Sequence, residues 1–497
     1  MKRIMAYLIN FYSFLSNKYF LILVYFILTS VTAFKHELWR DEADVWLFAR
    51  DTNFTGFFEY LSNSGHPGLW HLLLLPFAKL NFPNYTIQIL HLSIAAASVY
   101  LLLSYSKFPK YILILLVFNY YLLYEYAIIC RNYAIGVFLL FAIAALYPKR
   151  FERPILYCFL IFLLCNTNLY CSIISSGIAL IYFLEMIQEK KFSKSTLLGF
   201  CLTLVGAIVL LIQVFPNPDS GEHKEIFASM RNSMAVPISI IYSFSPGALK
   251  INYLILPGFI IICLSLIHFF RTKMVFIFLV WSLSLLFLFY SFIYIRSYRH
   301  AGFVFFSFLF AYWIRAYYRS DEDTGKEIAF HSLKEYLRKP LVLLNVFLVL
   351  SLLTSTKFAF QEIRKDILFS YSNAKEMAEF MIANKYDSTK NTIVAHGADS
   401  GKTVLFYLKN TKEFYYPGID SFGSYNHWDK KAWNSERIKL EEAFLIAKEK
   451  FKDRSDTLFL TGTPLSDTVK AGELLYQTSK RNEFIKEEEY YLYRLNP

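Results

Sequence analysis

The chain of 497 residues is 56% hydrophobic, with 50 Phe, 37 Tyr and a net charge of +12. A soluble core of this length cannot bury that much apolar surface, so the composition points to a polytopic membrane protein. The 51 Lys and Arg are scattered as short clusters between apolar runs, the pattern of loops obeying the positive-inside rule rather than a nucleic-acid footprint, and none of the six cysteines forms a CxxC pair that would suggest zinc.

A bilayer core of about 30 Å takes about 20 apolar residues per helix. The first run, 19–35, follows Lys2, Arg3 and Lys18, so its start is expected in the cytoplasm and His36 onward outside. The run at 66–80 is short, opens on His66-Pro67 and contains Pro76; it reads as a juxtamembrane or re-entrant helix, because a full span there would invert every later loop. Further spans are expected at 85–105, 109–129, 132–147, 154–167, 169–187, 196–214, 252–270, 274–294, 301–316 and 341–357. Lys107, Lys149, Lys190, Arg271 and Arg315 then all fall in cytoplasmic turns. The predicted fold class is a mainly α membrane bundle of about eleven spans over residues 1–357, followed by a small soluble α/β domain at 358–497 on the outer side. In that domain strands are predicted at 392–396, 457–462 and 490–495, and helices at 434–452 and 466–478.

This topology gathers the unusual polar residues on one face. Asp41, Glu42 and Asp44 stand directly behind the first span, in HELWRDEADVW. If 41–50 is a surface helix, Asp41 and Asp44 share a side and Glu42 points about 100° away. A carboxylate there can serve as general base or metal ligand, or simply cap the helix. His66 opens the short helix, Arg131 and Tyr133 follow the third span in YEYAIICRNYAIG, and Asn166 to Tyr170 and the 215–250 loop lie on the same side. Arg296, Arg299 and His300 form a cationic cluster where the positive-inside rule disfavours cations, which points to an anionic ligand such as a phosphate. Near a P-loop in appearance, HGADSGKT (396–403) has three residues between its glycines instead of four, and reads as a turn and helix start.

An apolar first helix, an outward Asp-Glu loop (WRDEADVW), a His-Pro before a Leu-rich short helix (GHPGLWHLLLLP), an Arg-aromatic motif (CRNYAIG) and late Arg/His residues resemble the GT-C glycosyltransferases. In particular, the pattern is similar to bacterial members of the protein O-mannosyltransferase and lipid A aminoarabinose transferase type, over about residues 1–320. The resemblance implies a multi-pass enzyme of the bacterial cytoplasmic membrane that takes a sugar from a polyprenyl-phosphate-linked donor and gives it to a glycan, lipid or protein acceptor on the outer face. It implies Asp41 as catalytic base with Glu42 as its companion, and Asp44, His66, Arg131, Tyr133, Arg296, Arg299 and His300 as substrate-binding residues. Where many relatives read Arg-Pro-Tyr this chain has Asn132 in place of the proline, which leaves the subfamily and the sugar open. A divalent metal at Asp41 and Glu42 is not required, because the cations could do the same electrostatic work. The alternatives are a flippase or transporter of lipid-linked sugars, with the same charges guiding substrate, and a non-catalytic membrane scaffold.

Overall fold

The computed structural model describes residues 16–215, 235–247, 255–293, 298–318, 340–431, 438–466, 472–479, 482–485 and 488–495. Helix α1 (Lys18–Lys35) starts where the Asn17 side chain accepts the N–H groups of Tyr19 and Phe20, and stops at His36. Three short helices follow, α2 (Arg40–Asp51), α3 (Phe54–Ser64) and α4 (Leu69–Lys79). None is long enough to cross a bilayer at 1.5 Å per residue. Helix α3 is opened by the Asn53 side chain and closed by Gly65 at φ 64°, a left-handed cap that suits glycine. The short helix expected after His66-Pro67 is α4.

Helices α5 (Thr86–Tyr105) and α6 (Lys110–Val117) come next. The continuous span expected over 109–129 is a correction. It breaks at Asn119, whose side chain takes the N–H groups of Tyr121 and Leu122, and re-forms as one π turn, Tyr121–Glu125, before irregular backbone to Asn132. Residues 119–130 are all buried. Non-helical backbone at this depth is tolerated because protein, not lipid, surrounds it.

The bundle continues with α7 (Tyr133–Leu146), α8 (Pro154–Cys165), α9 (Leu169–Gln188), α10 (Lys194–Val214), α11 (Ala235–Phe244), α12 (Ile255–Phe269), α13 (Lys273–Phe292), α14 (Tyr298–Arg315) and α15 (Pro340–Leu368). Among the described residues six helices, α1, α5, α9, α10, α13 and α15, are long and apolar enough to cross a membrane; α4, α7, α8, α11 and α12 are shorter apolar helices. Helix α10 packs along α8, where a Cβ on Gly199 would stand 2.9 Å from the Pro154 carbonyl and one on Gly206 3.0 Å from Phe162. Without a hydrophobic drive between helices in lipid, such small residues let backbones approach closely. Helix α15 continues past residue 357 to Leu368 and brings Asp366 to the end of the bundle where α2 lies.

Beyond α15 a six-stranded mixed sheet forms, made of β1 (Thr392–Ala395), β2 (Phe414–Tyr416), β3 (Ser421–Gly423), β4 (Thr457–Thr461), β5 (Glu473–Gln477) and β6 (Tyr491–Arg494), in the order β3-β2-β1-β4-β6-β5. Strand β1 runs parallel to β2 and β4, and the other pairs are antiparallel. Helices α16 (Ala374–Ala383), α17 (Ala398–Tyr407) and α18 (Leu440–Lys450) complete the α/β domain. The helix expected at 466–478 is instead the edge strand β5, whose pairing with β6 overrides local propensity. Helix α17 begins after Gly397, as read from HGADSGKT, and packs directly on α2.

Candidate active site

Helix α2 places its three acids differently because each residue turns 100° from the last. Asp41 keeps 30% of its side chain exposed, while Glu42 is fully buried and Asp44 nearly so. Asp41 Oδ2 lies 2.7 Å from Arg131 Nη1 and 3.9 Å from Arg299 Nη1, and Arg131 Nη1 also donates to the Asp41 carbonyl at 3.1 Å. Segments 90 and more residues apart are thereby joined around one carboxylate.

The Arg299 guanidinium is held from behind. Arg299 Nε stands 3.2 Å from Glu125 Oε1, its guanidinium carbon lies 5.1 Å from the Trp39 ring centroid, and its backbone carbonyl accepts from the Tyr126 hydroxyl. Glu125 in turn accepts from the Tyr120 hydroxyl. The π turn explains this aim, because the extra residue in the turn rotates Glu125 toward the neighbouring helix. Tyr133 and His300, expected to bind substrate, are buried beneath the cations: His300 stacks on Tyr170 at 5.3 Å and meets Tyr133 edge-on at 6.2 Å. Arg296 lies outside the described residues.

Glu42 belongs to a buried relay. Its Oε2 lies 3.1 Å from His36 Nε2 and accepts the Trp39 N–H, while its Oε1 accepts the Cys130 N–H. His36 Nδ1 is 2.9 Å from Asp366 Oδ2, which also accepts from the Tyr124 hydroxyl at 3.0 Å. Burial alone would lower the His36 pKa, but the Asp366 and Glu42 carboxylates outweigh it and raise it to about 10. The reciprocal attraction of His36, helped by the two backbone N–H groups, holds Glu42 below its ordinary value despite burial. Asp44 faces the other way, accepting from the Tyr60 hydroxyl at 2.9 Å and from the Asn426 N–H at 2.7 Å. Asp41 and Glu42, the two carboxylates that a divalent cation would take if one were bound, therefore diverge. Among the described residues no three His, Cys, Asp or Glu side chains gather to hold a metal ion.

His66 is exposed, yet neighbouring protein restricts its hydration. This restricted hydration, with the Arg131 charge, outweighs the pull of Asp41 and lowers its pKa to about 4, leaving a neutral imidazole at neutral pH. Its turn is fixed by amides: Gln213 accepts the Gly68 N–H at 2.8 Å and donates to Asn166 at 2.7 Å, and the Asn166 carbonyl accepts the Leu69 N–H at 3.2 Å. Asn132, standing in the proline position of the motif, donates to the Thr167 carbonyl at 3.1 Å. The 166–170 segment thus contributes scaffolding.

No protein-family model and no curated protein matches the chain. Among solved structures it is similar to ArnT from Cupriavidus metallidurans, determined bound to undecaprenyl phosphate, with a TM-score of 0.51 over 96% of this chain and 98% of that one. The chain shares the fold of that ArnT structure. At 12% identity the likeness is one of architecture. In this chain the shared fold comprises a long first helix, three short helices, a helical bundle, and an α/β domain seated over α2.

Residues unforeseen at the site are His36, Glu125 as the partner of Arg299, and Asp366. Glu125 had a visible signal as an acid inside an apolar run, and His36 adjoins the acidic motif. Asp366 is 330 residues from His36 and carries no local signal.

Proposed function

We propose that this protein is a membrane glycosyltransferase that moves a sugar from a polyprenyl-phosphate-linked donor to an acceptor, at the extracytoplasmic end of the bundle. The observation that carries the reading is Asp41, a partly exposed carboxylate facing two guanidiniums on a GT-C fold whose structural neighbour was determined bound to undecaprenyl phosphate. A phosphate needs cations, and a hydroxyl acceptor needs a base.

In this mechanism the donor phosphate draws Arg131 and Arg299 away from Asp41, exchanging one anion for another. The freed carboxylate takes the proton of the acceptor hydroxyl. The acceptor oxygen bonds to the anomeric carbon as the bond from that carbon to the phosphate oxygen breaks, with inversion. The electron pair leaves on the lipid phosphate, where the two guanidiniums stabilise it. Neutral His66 offers hydrogen bonds to sugar or phosphate without adding charge. Glu42 and Asp44 keep α2 in place.

The flippase alternative requires polar groups leading through the bundle. At the opposite end, Arg150 pairs with Glu185 at 2.6 Å and Glu185 accepts from the Tyr147 and Tyr318 hydroxyls, a cluster whose charges satisfy one another. Mass spectrometry of envelope glycans, lipids and glycoproteins from a strain lacking the protein tests the transferase reading. Loss of one sugar, restored by the wild-type gene and not by Asp41→Asn, supports it; an unchanged profile overturns it.

A further inference from the structure

We propose that the α/β domain is a positioning element of the active site, acting through Glu488, Tyr407 and Asn426 on the helix that carries Asp41; this rests on the transferase reading. Helix α2 starts after Trp39, which supplies no side-chain oxygen for the free N–H groups of the first turn. The α/β domain supplies an acceptor for the first helical N–H and another for the chain entering the helix. Glu488 Oε1 accepts the Arg40 N–H at 2.9 Å, and the Tyr407 hydroxyl accepts the Leu38 N–H at 2.7 Å. One turn further on, the Asn426 N–H donates to Asp44 Oδ1 at 2.7 Å. These attachments fall at residues 38, 40 and 44, on both sides of Asp41, whose own carboxylate is left to the arginines.

The bundle holds α2 at Glu42, through His36 and Cys130, at Asp44, through Tyr60, and by packing against α4. Those attachments lie at and beyond Glu42, whereas the domain fixes residues 38 and 40 ahead of Asp41, and loosening of this first turn moves Asp41 off Arg131. Glu488 is 1% exposed and lies 448 residues from its partner Arg40, so the contact exists only when the domain is seated. Burial pushes its carboxyl up to about 7, so at neutral pH much of it is uncharged. The domain's hold at this point is therefore an acceptor oxygen more than a charge, and glutamine should replace it.

The test compares full-length wild type, Glu488→Ala, Glu488→Gln and Asp41→Asn in lipid nanodiscs, using polyprenyl-phosphate-linked sugar extracted from the parent membranes as donor. Glu488→Ala should lower kcat about tenfold or more with donor KM unchanged, because a small misplacement of a reacting group is enough. Glu488→Gln should stay within about threefold of wild type. Hydrogen exchange of peptides covering 38–46 should quicken in Glu488→Ala and not in Glu488→Gln. Should Glu488→Ala fail to fold, Tyr407→Phe, which removes the acceptor for Leu38, should give the same exchange change and a smaller fall in kcat. Unchanged exchange at 38–46, a normal kcat in Glu488→Ala, or equal impairment of the Gln and Ala variants would each overturn the proposal. Inactive wild type, or fully active Asp41→Asn, would count against the transferase reading instead, while the exchange result still decides whether the domain holds α2.

Discussion

Replacing His36 by glutamine leaves Glu42 and Asp366 buried without the cation between them. The imidazole pKa rises from 6.5 to about 10 in the folded chain, which at ~1.4 kcal/mol per unit corresponds to about 5 kcal/mol. Removing one partner of a buried pair typically destabilises by about 3–5 kcal/mol, so His36→Gln is expected to lose that much. Because the folded pKa lies above the unfolded one, the contribution is complete below about 6.5, falls as pH rises, and is gone above about 10. Thermal unfolding of purified wild type and His36→Gln in detergent should therefore show a wide gap near pH 6 that narrows toward pH 9.5. Adding Glu42→Gln should recover part of the loss, because one uncompensated carboxylate is then gone. A gap independent of pH, or a double variant whose loss equals the sum of the singles within about 0.5 kcal/mol, would refute the relay.

Asp44→Ala strips the acceptor from the Tyr60 hydroxyl and the Asn426 N–H, costing about 1–3 kcal/mol for each donor left buried; limited proteolysis should cut the 424–429 loop faster, and unchanged cutting would count against its docking role. Gly302→Ala puts a methyl group against the Tyr126 hydroxyl and within 2.7 Å of the Tyr121 ring. Overpacking of that kind costs about 1–3 kcal/mol. It should also disturb the Tyr126 bond to the Arg299 carbonyl, seen as weaker transfer in a variant that still folds. Arg131→Lys keeps a charge but loses the planar guanidinium, whose Nη1 reaches both the Asp41 carboxylate and its carbonyl and whose other nitrogens remain for a phosphate; undecaprenyl phosphate binding should weaken severalfold, and wild-type binding would remove Arg131 from the phosphate site.

Much of the architecture is legible in the residues. Apolar runs separated by Lys and Arg mark most of the helices, and the acids behind the first of them mark α2. That Asp41, Arg131 and Arg299 lie at one end of the bundle follows from counting the crossings. Less legible is which of three neighbouring acids keeps its solvent. Helical rotation separates Asp41 from Glu42, but only the partners His36, Cys130 and Asn426 decide that Glu42 and Asp44 are consumed in holding the helix. His36 stands six residues from Glu42, but Cys130 and Asn426 come from distant elements and no local pattern announces them. The break at Asn119 hides inside an unbroken apolar run, because lipid-facing and protein-buried segments have the same composition. In β5, ELLYQ suits a helix as well as a strand, and only β6 beside it settles the matter.

The central claim is that Asp41 accepts a proton while Arg131 and Arg299 hold the phosphate. The most direct measurement is single-turnover sugar transfer by purified Asp41→Asn in nanodiscs, made alongside undecaprenyl phosphate binding by the same sample. A lost base should slow transfer at least about 100-fold, while binding is as tight as wild type or tighter, since the anion competing for both guanidiniums has gone. Transfer at the wild-type rate, or binding lost together with transfer, would contradict the account.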